Sequence, residues 1–537
     1  MIYLKQLKYG LLLLITITIF SCNNNKTTPP APIKDTASAL EIDQSIPGNF
    51  SEQTKLKFDS GIIRRFLDSF PKFKGYEKEM DSFYIKRNFA FAWFDDKGLI
   101  EPATNLYNRI LNLKEEGLPD KLPYRDAFTL LMETEVDQSK PAPFAELMLT
   151  SQYLVYAKNV WEGLDENESL SVDWLLPRKK TSLSALLDSL NSGKNILEDA
   201  PVYKQYGLLK KQLETYHQLK LNGSWDTILV KQNKYKQGDS AAVLQQIRER
   251  LFLLGDVPTK TSNEVFDEYL FEGIKSFQRR NGLKEDGIIS TTFMKELNYP
   301  LDKRIEQIIV NMERCRWVPV ELSKNFLVVN IPEYKLHVYE DDSVAWSMNV
   351  VVGKDQHKTV IFNGDLKYVV FSPYWNVPSS IVKNEILPAI RRNGNYLARH
   401  NMERFNGGIR QKPGPNNSLG LVKFLFPNSH NIYLHDSPAK SLFNETERAF
   451  SHGCIRLEEP KKLATYLLRN DTIWTPEKIN AAMAKGVEKY VTLKTTVPVF
   501  IAYFTAWVDG HGKLNFRKDV YKRDERLGLL ILEKPAI

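Results

Sequence analysis

The spacing of apolar residues changes character along the chain. From Ser51 to Lys236 it follows helical turns. Ile62, Phe66 and Phe70 recur every four residues, and Leu147, Tyr153, Leu154 and Ala157 recur at similar intervals. Residues 51–236 therefore predict a helical scaffold whose aromatic residues, such as Phe91, Trp93, Trp161 and Trp174, lie in its core. Residues 237–300 tighten into a small module. Leu244, Ile247, Leu251 and Leu254 form one stripe, ended by Gly255-Asp256. Phe271, Ile274 and Phe277 begin a second helix, and Phe293 and Leu297 a third after the turn signal Asp286-Gly287. Beyond Pro300 a last helical stretch gives way to alternation of period two at Phe326 to Ile331, Lys335 to Tyr339 and Ser347 to Val352. Further apolar runs follow at Tyr368 to Phe371, Val422 to Phe426 and Asn431 to His435. Residues 301–537 are thus expected to form a mainly β domain, and the whole chain a multidomain α+β protein. Residues 376–418, rich in Asn, Gly, Pro and Arg, interrupt the strands at a length usually reserved for functional or mobile loops.

The N-terminus follows another pattern. Lys5 and Lys8 precede an apolar stretch from Leu11 to Phe20 that is broken only by Thr16 and Thr18. That suits the core of a signal peptide and falls short of the roughly 20 residues that a bilayer span needs. Ser21-Cys22 follows, and a small residue directly before Cys resembles the bacterial lipobox, in which the Cys is acylated and becomes the mature N-terminus. Residues 1–21 are expected to be a lipoprotein signal peptide and Cys22 the lipidation site. Residues 22–50, with Pro29, Pro30, Pro32 and Pro47, read as a flexible tether. Several acyl chains, at about 0.8 kcal/mol per buried methylene, would hold the protein on a membrane facing the periplasm of a Gram-negative-type bacterium.

Composition narrows the chemistry. With 42% hydrophobic and 26% charged residues, most of the chain should fold, and 537 residues exceed one ordinary core. A net charge of +8 suits an anionic wall polymer or lipid surface, but no dense Lys/Arg run or RNA-binding motif supports a nucleic-acid partner. His217, His337, His357, His400, His430 and His511 stand in no metal-ligand spacing, so no metal or other cofactor is expected. If Cys22 carries lipid, Cys315 and Cys454 remain. They either pair as a disulfide or leave one thiol for chemistry.

The surroundings of Cys454 favour chemistry. In "NIYLHDSPAKSLFNETERAFSHGCIRLEEP", Gly453 allows a sharp turn that presents a thiol and nearby N–H groups. His435 ends a predicted strand that would aim its ring at such a nucleophile. Fifteen residues then separate His435 from Ser451-His452-Gly453-Cys454 and Arg456. This arrangement resembles the signature of the L,D-transpeptidase (YkuD-type) catalytic domain. "NMERCRWVP", "FLVVNIPEYKLHVYE", "VVVGK", "PYWNVPSSI" and "GPNNSLGLVKFLFPN" resemble the large subtype of that family. The segment "FDEYLFEGIKSFQRRNGLKEDGIISTTFMKELN" likewise resembles a three-helix peptidoglycan-binding module.

The resemblance implies a helical scaffold, a peptidoglycan-binding module and a catalytic domain with a capping insertion at about 376–418. It implies Cys454 as nucleophile, His435 as general base, Asp436 as orienter of the ring, and His452 and Gly453 as shapers of the turn. Gly453 and Cys454 would supply oxyanion donors, and Tyr433, Ser451, Arg448, Arg456 and Asn376 would contact substrate. Thr359-Val360 departs from the Thr-Pro common in the family. The implied partners are peptidoglycan stem peptides and glycan, and the implied reaction is 3→3 cross-linking through a Cys454 thioester. An L,D-carboxypeptidase and a non-catalytic wall-binding lipoprotein are the alternatives. A papain-like peptidase would place its Cys before its His.

Overall fold

The computed structural model describes residues 51–533, apart from 52–54, 136–139, 180–181, 184–185, 187–202, 224, 233, 320–322 and 342. The expected signal peptide and tether, with Cys22, lie outside the described residues. The chain is a multidomain α+β protein, with a helical N-terminal region, a small helical module and a mainly β catalytic domain.

The helical region is built around Pro143–Ala157, whose residues from Ala145 onward are all buried because other elements cover every side. A helix with no solvent face must also satisfy its polar groups internally. Glu146 does so by accepting the N–H of Trp93 at 3.0 Å, the N–H of Ala92 and the Tyr84 hydroxyl at 2.8 Å. Burial still pushes its carboxyl up to about 7. Trp93, Trp161 and Trp174 are fully buried, as core residues should be.

The module comprises helices Ala242–Leu253, Glu268–Arg280 and Thr291–Leu297. Asp267 and Ser290 cap the last two by accepting the N–H of Leu270 at 2.9 Å and of Phe293 at 3.2 Å. Leu244, Ile247, Leu251, Ile274, Phe277 and Phe293 make its separate core. The next helix, Leu301–Trp317, packs against Gln205–Leu221 of the helical region and against the C-terminal helix Arg523–Leu532. It therefore belongs as much to the scaffold as to the β domain that follows it.

Nine strands form the main sheet: β1 Asn325–Asn330, β2 Lys335–Glu340, β3 Ser343–Gly353, β4 Phe362–Phe371, β5 Val422–Leu425, β6 Leu434–His435, β7 Ala449–Ser451, β8 Ile455–Leu457 and β9 Lys489–Ala502. Their order is β7-β3-β8-β6-β5-β4-β9-β1-β2, and β2 also pairs with β3, so the sheet closes on itself. Eight strands close the ring, with β7 attached outside it along β3, and closure leaves an interior that apolar side chains such as Leu327, Val350, Leu366, Phe424 and Leu434 fill. Most neighbours are antiparallel, but β6 with β8, β7 with β3 and β9 with β1 run parallel. Between β4 and β5 the insertion adds short helices and a three-stranded sheet of Trp375–Asn376, Met402–Phe405 and Gly408–Gln411. Its own small core of Val377, Ile386 and Ile409 lets it hold its shape apart from the main sheet.

Candidate active site

The parallel pairing of β6 with β8 builds the site. Its register sets Leu434 beside Ile455 and His435 beside Arg456, so residues distant in sequence become neighbours across the sheet. Cys454 sits immediately before β8, in the turn that β7 feeds.

His435 is almost fully buried. Its Nδ1 lies 2.5 Å from the backbone carbonyl of Asp436, and a carbonyl can only accept, so Nδ1 carries the proton. Nε2 is then the basic nitrogen. Burial and the Arg456 charge together push the imidazole down to about 4, against hydrogen bonds to the Asp436 and Leu419 carbonyls. The ring is neutral at neutral pH and able to take a proton. Asp436 orients it through the carbonyl rather than the carboxylate, which is spent elsewhere. The carboxylate accepts from Leu421 N at 2.8 Å, Ser437 N at 2.7 Å and Lys440 Nζ at 2.8 Å.

Cys454 and Cys315 are both free thiols, which rules out the disulfide reading. Cys315 is wholly buried and its thiol is pushed up to about 12, so it is inert. Burial also raises the thiol of Cys454, while the N–H and phenol of Tyr433 and the charge of Arg456 pull it back in part. The Tyr433 ring meets His435 edge to face at 5.7 Å, and its hydroxyl is further engaged by Trp375 of the insertion. Tyr433 thus touches nucleophile, base and cap together.

The nucleophile turn is held from beneath. Gly453 has φ +110°, a backbone region that side chains rarely adopt. Ser451 Oγ donates to the Cys454 carbonyl at 2.5 Å and accepts Gly453 N–H at 3.1 Å. This revises two expectations. Ser451 is buried and organises the turn, so it is not free to meet substrate. The N–H of Gly453 is committed to Ser451 and not available as an oxyanion donor. Thr359 Oγ1 ties the turn to β3 by donating to Gly453 O at 2.9 Å and accepting Gly353 N–H at 2.9 Å. Tyr521 closes the arrangement, donating to Gly353 O at 2.6 Å and accepting Thr359 N–H at 3.2 Å. A Cβ on Gly353 would stand 2.0 Å from the His357 carbonyl, so only glycine fits. Thr359, Tyr521 and Gly353 are the supporting residues that sequence reasoning missed. The "VVVGK" and Thr359 positions were visible, but their partners come from remote elements.

The remaining candidates separate. Arg456 faces the catalytic pair electrostatically, and its buried Nε has no hydrogen-bond partner among the described residues. Arg448 does not serve the site. Its guanidinium is committed to the carbonyls of Val350, Glu445 and Tyr334 and to Asn349 Oδ1, which makes it a brace between β3 and the β7 approach. Asn376 lies exposed at the root of the insertion, opposite Arg410. His452 turns away from the thiol, stacks on His357 at 4.9 Å and bonds Glu385 of the insertion at 3.0 Å. It clasps the cap to the turn. Among the described residues no group of three or more His, Cys, Asp or Glu is placed to hold a metal.

A half-buried thiol on a glycine turn, beside the strand that carries a neutral imidazole held by a backbone carbonyl, is an arrangement suited to nucleophilic cysteine chemistry. Residues 324–497 match the YkuD family, the L,D-transpeptidase catalytic domain. Residues 78–213 match the scaffold domain family, and residues 240–297 the "Putative peptidoglycan binding domain" family. Over residues 324–497 the chain is thus similar to L,D-transpeptidase catalytic domains. A Haemophilus influenzae protein named "Putative L,D-transpeptidase" is 31% identical over 245 residues, which is 42% of this chain and 49% of that protein. The match therefore spans about half the length of that relative.

Among solved structures, an L,D-transpeptidase from Mycobacterium smegmatis is 15% identical over 33% of this chain and 58% of its own, with a TM-score of 0.20. One from Stackebrandtia nassauensis is 12% identical over 51% of this chain and 97% of its own, with a TM-score of 0.22.

Proposed function

We propose that the protein forms 3→3 cross-links between peptidoglycan stem peptides through a thioester on Cys454. The observation that carries this reading is the tautomer of His435. With Nδ1–H donated to the Asp436 carbonyl, Nε2 is a neutral base beside the parallel strand that presents the thiol. Nε2 takes the thiol proton as sulfur attacks the carbonyl of the third residue of a donor tetrapeptide. The developing oxyanion is met by the N–H of Cys454. When the C–N bond breaks, the terminal D-Ala leaves as an amine with the proton from His435, and the thioester remains. The side-chain amine of an acceptor stem then attacks the thioester, loses its proton to His435, and the thiol is restored. Arg456, whose buried Nε has no hydrogen-bond partner among the described residues, supplies charge for a stem carboxylate.

Incubating purified disaccharide-tetrapeptide with the protein and weighing the products tests this. A dimer lighter than two substrates by one D-Ala is expected, and Cys454→Ala should yield none. Release of D-Ala without dimer would make the protein an L,D-carboxypeptidase instead. The helical module, similar to peptidoglycan-binding domains, would hold the wall polymer near the site.

Anchoring by acylated Cys22 on a periplasmic membrane face belongs to the same reading. Among the described residues no helix is long and apolar enough to cross a membrane. Cys22→Ser should leave the protein in the soluble periplasmic fraction or as an uncleaved precursor. A variant that is cleaved yet still membrane-bound would argue against lipid attachment.

A further inference from the structure

A cavity of about 880 Å³ is lined by Asp436, the residue after His435, while neither His435 nor Cys454 is among its lining residues. Its walls come from β3, from the helix Pro460–Leu467 and from the segment that follows His435. The volume lies within the range of small-ligand sites. Nothing in the acyl-transfer cycle uses it.

The lining tells what it would take. Trp346 and Tyr466 meet edge to face at 5.7 Å and form an aromatic wall. Most of the charges around it are paired, Lys440 with Asp436 at 2.8 Å, Lys462 with Glu459 at 3.4 Å and Arg469 with Glu340 at 3.2 Å, and the remaining two, Glu458 and Lys461, are of opposite sign. A compensated rim is a poor match for an anionic peptide, which would have to break these pairs. It is a good match for an uncharged ligand with many hydroxyl and amide groups, because each pair offers donors and acceptors at once. Lys462 Nζ now rests 4.6 Å above the Trp346 ring, and Arg469 3.8 Å above Tyr466. The weakly positive C–H face of a sugar ring interacts with an aromatic face in the same electrostatic sense. Lys462 is a half-exposed, flexible side chain that could yield its place.

The position adds a reason. Asp436 lines the cavity with its side chain while its carbonyl holds His435. The cavity is thus linked to His435 by a single residue of the chain, and three extended stem residues span roughly 10 Å from a sugar. We propose that this cavity seats the N-acetylated amino-sugar backbone of the strand whose stem peptide enters the active site. The inference rests on the peptidoglycan reading and names the part of the substrate the cavity recognises.

The test uses the full chain and chitotetraose, a neutral β-linked N-acetylglucosamine oligomer, as probe. In titration calorimetry the wild type should bind it with a component that falls at least tenfold in Trp346→Ala. The same variant should raise KM for disaccharide-tetrapeptide with little change in kcat, and leave turnover of sugar-free tetrapeptide unchanged. Thr465→Trp, which fills the cavity from a half-buried lining position, should reproduce both effects and guards against a Trp346 variant that folds poorly. Equal chitotetraose binding in wild type and both variants would overturn the proposal, since that binding would then belong to the helical module. Displacement of the oligomer by sugar-free stem peptide would overturn it too, making the cavity a peptide site. Loss of sugar-free turnover in the wild type would instead sink the acyl-transfer reading and leave the oligomer titration to decide the cavity.

Discussion

At the scale of single residues, the site joins a thiol whose ionisation burial opposes to a base whose protonation burial opposes. Both groups are neutral in the resting enzyme, so the proton moves only as the sulfur attacks. The free enzyme should therefore show an acid limb of kcat/KM near pH 4, where His435 takes up a proton, and not near the ordinary imidazole value of about 6.5. Alkylation of Cys454 by iodoacetamide, followed by mass spectrometry, should quicken with a midpoint above that of an ordinary thiol. Tyr433→Phe should slow it at any fixed pH by removing one hydrogen bond to the thiolate. A midpoint below the ordinary value would show a preformed thiolate–imidazolium pair and contradict the assignment. The same depressed imidazole has a stability consequence. Above pH 6.5 neither folded nor unfolded His435 is charged. As pH falls toward 4 only the unfolded state gains the proton, so up to about 3 kcal/mol of stability is lost, and the loss levels off below that. Urea midpoints measured from pH 7 to 4 should fall less steeply in His435→Gln than in wild type.

At the scale of elements, the nucleophile turn is a loop made rigid by distant parts of the chain. Thr359 serves the buried Gly353 N–H and Gly453 carbonyl at once, and valine has its shape without its hydroxyl. Thr359→Val should cost about 2 to 4 kcal/mol, from two buried groups left unpaired, and lower kcat more than it raises KM. Thermal melts and steady-state kinetics on one preparation would show it, and an unchanged kcat would mean the turn holds its shape unaided. The insertion is the other such element. Trp375 reaches Tyr433 and Glu385 reaches His452, so the cap is fastened to both sides of the nucleophile. Glu385→Gln weakens the second fastening and should raise the ratio of hydrolysed to cross-linked product from one tetrapeptide substrate, as water gains access to the acyl-enzyme.

These elements also show what sequence could carry. The strands around Phe326, Lys335 and Val422 follow from alternation, because each has one face in the core. β4 begins earlier, at Phe362, because Asn363, Gly364 and Asp365 pair with β9 although their types suggest a loop. β9 itself was hidden by Lys, Thr and Pro498, which its partners on both sides accommodate. The candidate pair Cys454 and His435 could be singled out in the sequence because its spacing and neighbours are local. The roles of Ser451 and Arg448 were not, since only the folded chain shows which of their donors the backbone has already taken.

At the scale of the whole molecule, the question is how the helical module is kept in fixed relation to the candidate active site. The answer lies in a hairpin of the catalytic domain, Ala506–Val508 with Leu514–Phe516, that docks on the module. Arg280 of the module grips the fully buried Asp256 with two bonds from Nε at 2.8 and 3.0 Å and one from Nη2. Its Nη1 donates to the hairpin carbonyl of Leu514 at 3.3 Å, and Arg517 returns a bond to the Arg280 carbonyl at 2.9 Å. Arg304, from the helix that the scaffold and catalytic domain share, packs over Phe516 at 4.1 Å and Tyr299 at 4.4 Å. A flexible joint would need none of this buried charge. Arg280→Met should leave Asp256 buried and unpaired, at a cost of about 3 to 5 kcal/mol that appears as a lower melting temperature. Arg280→Met with Asp256→Leu should regain most of that stability, because it removes the stranded charge, yet it cannot restore the bond to the hairpin. That pair of variants separates folding from docking. If the fixed module presents strands to the site, the double variant should turn over soluble tetrapeptide normally and intact sacculi several-fold more slowly. Equal rates on sacculi would mean that the module binds wall polymer without aiming it.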